Sequence, residues 1–318
     1  MRSRLITAVM HTLVAFLAAP FLMACIWYHG TAPDGTSKQY EPLKIHGAGF
    51  VVLRATADTF RQIINSDNSS WEVKVSELAT KSGFAARNDY AVALIYTGDY
   101  EQAIKVLHEL EEQASNPSYE VAANLGTAYE LSGNLDQALK WITEGMKRDP
   151  KSHYGTEWLH QRIIQTKLDG KSEVFELENP LDFDNPQARY TAGEQTFTSE
   201  ELITAILYQT SERAAFVKPE DGVMANLFAM GGNVIASTVA LEPAIDMFEL
   251  AVLYGHPKSQ EIQAWFPEAR KIIAWNNNMR SLRNAGLWAA GIGAFIVAAY
   301  LAVRYQRKKR NLPPVHHE

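Results

Sequence analysis

Two stretches of the chain repeat one another closely enough to decide most of what it can fold into. Gly98-Asp99-Tyr100-Glu101-Gln102-Ala103 is answered 35 positions later by Gly133-Asn134-Leu135-Asp136-Gln137-Ala138. Each stretch sets a glycine, then a short polar capping residue, then helix-forming residues, which is the signature of a turn between two helices. A period of this length belongs to stacked helix pairs, in which no pair can bury its apolar face alone and each uses its neighbour as core. The segment from Phe84 to Pro150 is therefore expected to be two helical hairpins packed side by side.

Residue choice within the second copy follows the same logic. Gly126 and Ala138 are small where two helices cross, Tyr129 and Ile142 fill the space beside them, Gly133 supplies a left-handed cap, and Pro150 stops the unit. With Leu125 and Gly145 added, this set resembles the tetratricopeptide repeat family. The first copy matches less fully: Tyr90-Ala91 stands for Leu-Gly, Leu94 takes the aromatic position, and Asn116-Pro117 closes the unit. Ala122 occupies a position where the family favours Trp. The resemblance implies an all-α, TPR-like α-solenoid whose concave groove holds a peptide or helix of a partner protein. It places Asn88, Asp89, Val92, Ile95, Asn124, Thr127 and Glu130 on that groove, with the Asn124 amide able to hold a ligand backbone. The Lys-rich clamp by which some relatives grip a terminal carboxylate is missing, since Ala85, Asn88 and Val92 stand there.

The two ends of the chain carry the membrane signals. Residues 1–28 begin with Arg2 and Arg4 and continue as an apolar run, which is either a removed signal or a retained membrane helix. Leu22-Met23-Ala24-Cys25 resembles a bacterial lipoprotein cleavage box, with Cys25 as the lipid-bearing residue; an uncleaved helix and ordinary signal cleavage are the alternatives. At the far end, residues 285–303 form an uncharged apolar run of 19 residues, long enough to cross about 30 Å of hydrocarbon as a helix. Arg304, Arg307, Lys308, Lys309 and Arg310 follow it, against Arg280 and Arg283 before it. The positive-inside rule then puts residues 304–318 in the cytoplasm of a bacterium and the body in the periplasm. Within the run, Gly286, Ala290, Ala294, Ala298 and Ala302 recur every fourth residue, a ladder that lets a second helix approach closely, either the N-terminal one or another copy.

Between these landmarks the expected organisation is a linker over 29–45, a repeat domain with capping helices over 46–170 (repeats about 84–117 and 119–150), and an acidic linker over 171–198. A helical region over 199–258 follows, in which Gly232, Ala244, Phe248, Ala251 and Pro257 fall near the positions of a third, degenerate repeat. Residues 259–284 read as juxtamembrane helices broken at Pro267, with Trp265, Trp275 and Trp288 suited to the headgroup zone.

Chemistry-bearing patterns are sparse. A net charge of −6 disfavours a nucleic-acid partner, and a single cysteine excludes an intramolecular disulfide. Nucleophile elbows and phosphate-binding Gly-Lys loops are absent, and His108-Glu109 lacks the second His of a zincin helix. His153, Glu157 and His160 lie at i, i+4 and i+7, within metal-ligand reach on one helix face, although an exposed polar face is the simpler reading. The expectation is a non-enzymatic, membrane-anchored scaffold without a cofactor. Its rivals are a permanent structural subunit of an envelope complex, self-association included, and a hydrolase using a metal at His153, Glu157 and His160.

Overall fold

The computed structural model describes residues 28–40, 56–115, 117–174, 189–192 and 195–310. Among these the protein is all-α apart from two antiparallel hairpins, β1 (Tyr28–Thr31) with β2 (Ser37–Tyr40), and β3 (Arg189–Ala192) with β4 (Gln195–Thr198). The helices are α1 (Thr56–Asn65), α2 (Ser69–Leu78), α3 (Phe84–Thr97), α4 (Tyr100–Gln113), α5 (Tyr119–Leu131) and α6 (Leu135–Arg148). They continue as α7 (Glu157–Leu168), α8 (Ser199–Ala214), α9 (Gly222–Thr238), α10 (Leu241–Leu253) and α11 (Ser259–Arg310). Cys25 with the N-terminal run, Asn116, the acidic residues 175–188 and the tail beyond Arg310 lie outside the described residues.

The repeated turns are built identically. Gly98 and Gly133 both sit in the left-handed region, at φ 84° and 85°. Asp99 and Asn134 then cap α4 and α6, each accepting from the backbone N–H three residues on at 3.3 Å. Nothing lies within 4 Å of a side chain added at Gly133, so Gly133→Ala isolates the backbone effect. It should cost about 1 kcal/mol, the penalty of the left-handed region for an L residue, read as a lower urea midpoint at unchanged slope.

Each helix from α2 to α7 packs against the next. Leu94, Leu107 and Leu125 anchor the interior of α3–α5, and α2 covers α3, with Trp71 stacked on Tyr96 at 3.9 Å. The α5–α6 crossing closes over Gly126, where a methyl group would meet the Ile142 side chain at 2.4 Å. A second core gathers α1, α7, α8, α9 and α10 around Phe228, Leu202 and Tyr254. In that core α9 and α10 form a hairpin with the same device: a methyl at Gly232 would meet Phe248 at 2.9 Å, and Phe248 again lies 16 positions on. The helix α1 belongs to this second core, with Phe60 edge-on to Phe228 at 5.1 Å, and so is not a cap on the first hairpin.

Three sequence expectations are corrected. Residues 28–40 are not a bare tether: Thr31 is fully buried, its backbone N–H and hydroxyl both donating to the Glu242 carboxylate at 2.8 Å. Pro267 does not break the C-terminal helix, because α11 runs unbroken over 52 residues, about 78 Å. Trp265 is no headgroup anchor but lies edge-on to Phe248 at 5.4 Å, fastening α11 to the second core. Beyond residue 280 the described helix leaves the body, every side chain through Tyr305 being exposed, and this stretch is long and apolar enough to cross a membrane.

Candidate functional site

The polar residues that converge most strongly lie where the two cores meet. Glu130, near the end of α5, is nearly fully buried, and a carboxylate is tolerated there only if several donors satisfy it. Arg213 from α8 supplies a two-pronged pair, Nη1 to Oε1 at 2.6 Å and Nη2 to Oε2 at 3.0 Å. Lys167, at the end of α7, donates to Oε1 at 2.9 Å, and His160 Nε2 lies 2.9 Å from Oε2. The other His160 nitrogen faces Glu157 Oε2 at 3.4 Å. Glu157 Oε1 in turn receives the Tyr119 hydroxyl at 3.1 Å and contacts His153 Nδ1. Tyr119, His153, Glu157, His160, Glu130, Lys167 and Arg213 are thus one connected chain drawn from α5, α7, α8 and the turn before α7.

Local structure explains how these groups are presented. His153 and Tyr154 occupy the left-handed region, at φ 46° and 59°, in a single 3-10 turn over Ser152–Gly155. The three-residue pattern therefore does not sit on one helix face, since α7 begins only at Glu157. Nor is it an exposed face: Glu157 and His160 are buried, and their lone pairs and N–H groups are turned on one another. No group of three or more His, Cys, Asp or Glu side chains among the described residues is arranged to hold a metal ion.

The electrostatics follow from this arrangement. Burial by itself would raise the Glu130 carboxyl, but Arg213, His160 and Lys167 together hold it well below the usual carboxylate range. Glu157 is likewise held low, hydrogen bonds from His153 and His160 overcoming its desolvation. Burial and Arg213 press His160 downward, yet its bonds to Glu130 and Glu157 prevail and its pKa is raised. An imidazolium satisfies both carboxylates, because both ring nitrogens then donate. Burial also raises Glu212, at the edge of the cluster, and Tyr119.

A pH profile tests this arrangement. Glu130 and Glu157 have lowered folded-state values, so their stabilisation is present above about pH 4.3 and is lost as pH falls below it. His160 has a raised value, so its stabilisation is full below about pH 6.5 and is lost as pH rises through the folded value. Urea midpoints taken from acid to alkaline pH at constant ionic strength should therefore peak between these limits. Glu130→Gln should flatten the acid limb, and His160→Gln the alkaline one.

A cavity of about 70 Å³, room for roughly two waters, opens beside the network between Thr127, Glu130, His153, Gln209, Glu212 and Arg213. The Arg213 Nε group is buried there without a partner. The larger hollow, about 550 Å³, is a trough lined by residues of α6 alone, and it brings no polar group from a second element.

The residues expected on the groove divide into three groups. Ile95 is in the core, and Glu130 is taken by the network, so neither faces a partner. Thr127 lines the small cavity and returns its hydroxyl to the Ala123 carbonyl at 3.1 Å. Asn88, Asp89, Val92 and Asn124 keep some exposure, with the Asn124 amide donating to Asn88 at 3.0 Å. The α5 end of the face is closed by the chain itself: Arg213 reaches Glu130, and Phe216 packs against Tyr96 with ring centres 4.5 Å apart. Arg213, Lys167 and Phe216 were missed in the sequence. The available signal was an arginine falling on the stripe of α8 that also carries Ile203, Ile206 and Thr210.

Taken together, these features define an all-α protein of paired helices in which a buried ion network ties α5 and α7 to α8. A family described as a domain of unknown function (DUF6340) matches residues 89–165. That span holds α4 to α6, most of α3 and α7, and Glu130, Glu157 and His160 of the network, while Lys167 and Arg213 fall outside it. No curated protein matches the chain.

Proposed function

We propose that this protein is a membrane-anchored, non-enzymatic interaction scaffold of tetratricopeptide type, held in a bacterial inner membrane by its C-terminal helix with the helical body in the periplasm. The observation that carries the reading is α11. It is fastened to the second core through Ile262, Trp265 and Phe266, then continues without a break into a fully exposed uncharged segment. A water-soluble protein would leave that segment uncovered at large cost, whereas a bilayer covers it. The basic residues after it support the orientation.

A non-enzymatic role is supported by the network, whose carboxylates and imidazole are committed to one another. Partner binding is assigned to the part of the repeat face that stays open, Asn88, Asp89, Val92 and Asn124, for a peptide or helix of another protein. Anchoring lets a modest affinity suffice by raising effective concentration. The uncovered apolar surface of α11 favours a second reading, a permanent subunit of a membrane complex.

A photo-crosslinker placed at Asp89 or Asn124, with exposed Lys105 on α4 as control, separates the two. One discrete protein adduct from the groove positions, diminished by salt and absent at Lys105, is the scaffold outcome. Adducts only from positions within 285–303, stable in detergent, would replace it with the subunit reading.

A further inference from the structure

We propose that the small cavity between α5 and α8 is a pocket for one lysine side chain of a partner protein. The proposal rests on the scaffold reading above and names the chemistry of that partner. Its basis is a set of hydrogen-bond acceptors that the fold leaves without donors. Gln209 is buried, and its amide nitrogen is the atom turned to Thr156, because the Thr156 carbonyl at 3.4 Å can only accept. The amide oxygen is left to the cavity, with no donor among the described residues. Thr127 spends its proton on the Ala123 carbonyl, so its oxygen meets the cavity as an acceptor as well. Glu212 stands exposed at the mouth, and it has neither a hydrogen bond nor an ion pair among the described residues.

Three acceptors around one cavity call for a group that only donates, and an ammonium has three N–H donors and no acceptor. Electrostatics point the same way. Glu130 and Glu157 are held low by their partners, whereas desolvation pushes Glu212 up, because no cation is paired with it. Arg213 lines the same space, but its charge is matched by both Glu130 oxygens. The rest of the wall includes Leu131, Phe216 and Val217, an apolar surface suited to methylene carbons. A space of about 70 Å³ takes an ammonium and the carbon behind it in place of water. Lysine delivers that tip on a flexible apolar stem, while the planar guanidinium of arginine is broader and rigid.

The position of the cavity points to a peptide as the source of the ammonium. Glu120, Asn124, Thr127 and Leu131 follow one stripe of α5, so the cavity lies at the inner end of the face already assigned to the partner. The stripe of α3 beside it carries Ala85, Asn88, Asp89 and Val92. Asp89 and Glu120 are exposed, and no lysine or arginine shares either stripe. A segment with a lysine at the cavity and further basic residues along Asp89 and Glu120 is therefore complementary in charge to the whole face.

The test uses the full chain in a neutral detergent at fixed ionic strength. It is titrated with three acetylated and amidated pentapeptides of glycine and serine whose central residue is lysine, norleucine or arginine, and Kd is read from the broadening of the peptide resonances. The lysine peptide should bind about ten-fold more tightly than the other two, the worth of a hydrogen-bonded charge. Glu212→Gln should abolish that advantage at an unchanged urea midpoint, while Glu112→Gln, an equal change of charge at an exposed position of α4, should preserve it. Equal affinities for the three peptides, no binding, or the same loss in Glu112→Gln would overturn the pocket. In membranes, Glu212→Gln should lower the adduct yield from the crosslinker at Asp89 about five-fold. An unchanged yield would overturn the pocket and leave the scaffold standing, whereas a chain with Glu212 intact that gives no groove adduct would remove the scaffold itself, and the pocket with it.

Discussion

Replacing Glu130 with Gln is expected to destabilise the helical body by about 3–5 kcal/mol, the usual cost of removing one partner from a buried ion pair. The group removed is the anion that pairs with both Arg213 and Lys167, and it shares His160 with Glu157. A neutral amide would leave the Arg213 guanidinium, which cannot deprotonate, desolvated and uncompensated. The same change at Glu249 should cost less than about 1 kcal/mol, because its partners Arg61 and Arg270 are half in water. Urea unfolding of the detergent-solubilised protein measures both. The companion experiment is Glu130→Leu with Arg213→Met, which should be more stable than either single replacement, since removing both charges removes the desolvation penalty with the attraction. A loss under 1 kcal/mol in Glu130→Gln would mean that water enters the network.

The repeated turns were legible because their information is local. Gly98 and Gly133 need a left-handed backbone, and Asp99 and Asn134 cap the helix that follows, all within six residues of sequence. The pairing of α9 with α10 was legible for the same reason, through Gly232 and Phe248. The position of α1 was not. Its apolar residues Ala57 and Phe60 fit any helical face, and only the long return of the chain through α9 and α10 decides which core they join. The β1–β2 hairpin was hidden likewise. A stretch rich in Gly, Ser and Thr reads as a linker, and what orders it is Glu242, 211 residues away.

The site was half visible. His153, Glu157 and His160 stood out by spacing, but a helical projection assumes that the helix includes all three, and His153 lies in a turn with positive φ. Their burial was unreadable because it depends on α8 lying across them. Glu130 was assigned to a groove face by the repeat resemblance, and in a bare stack that face meets solvent. Here the same face meets Arg213, 83 residues on, instead of solvent. Two opposite charges, each on an otherwise apolar or weakly polar helix face, are the trace that such a pair leaves in sequence, and nothing local says that they meet.

The second large effect is expected at the α5–α6 crossing, where Gly126→Leu should destabilise the body by about 3 kcal/mol, at the upper end of the cost of overpacking a well-filled core. The first added carbon alone would lie 2.4 Å from Ile142 Cδ1, 2.6 Å from Cγ1 and 3.2 Å from the Ile142 backbone nitrogen. A rotamer change of Ile142 relieves the first two contacts but not the third, so α5 and α6 must separate. The helix-propensity gain on replacing a glycine, about 1 kcal/mol, does not offset that separation. Gly145→Ala on α6 provides the contrast: its methyl would lie 3.4 Å from Tyr119, an ordinary contact, so propensity should dominate and stability should hold or rise slightly. Combining Gly126→Leu with Ile142→Ala moves volume across the interface instead of adding it, and should recover most of the loss. If the double replacement is no more stable than Gly126→Leu alone, backbone contact and not side-chain volume sets the crossing, and the small residue at 126 is then required by the distance between the helices themselves.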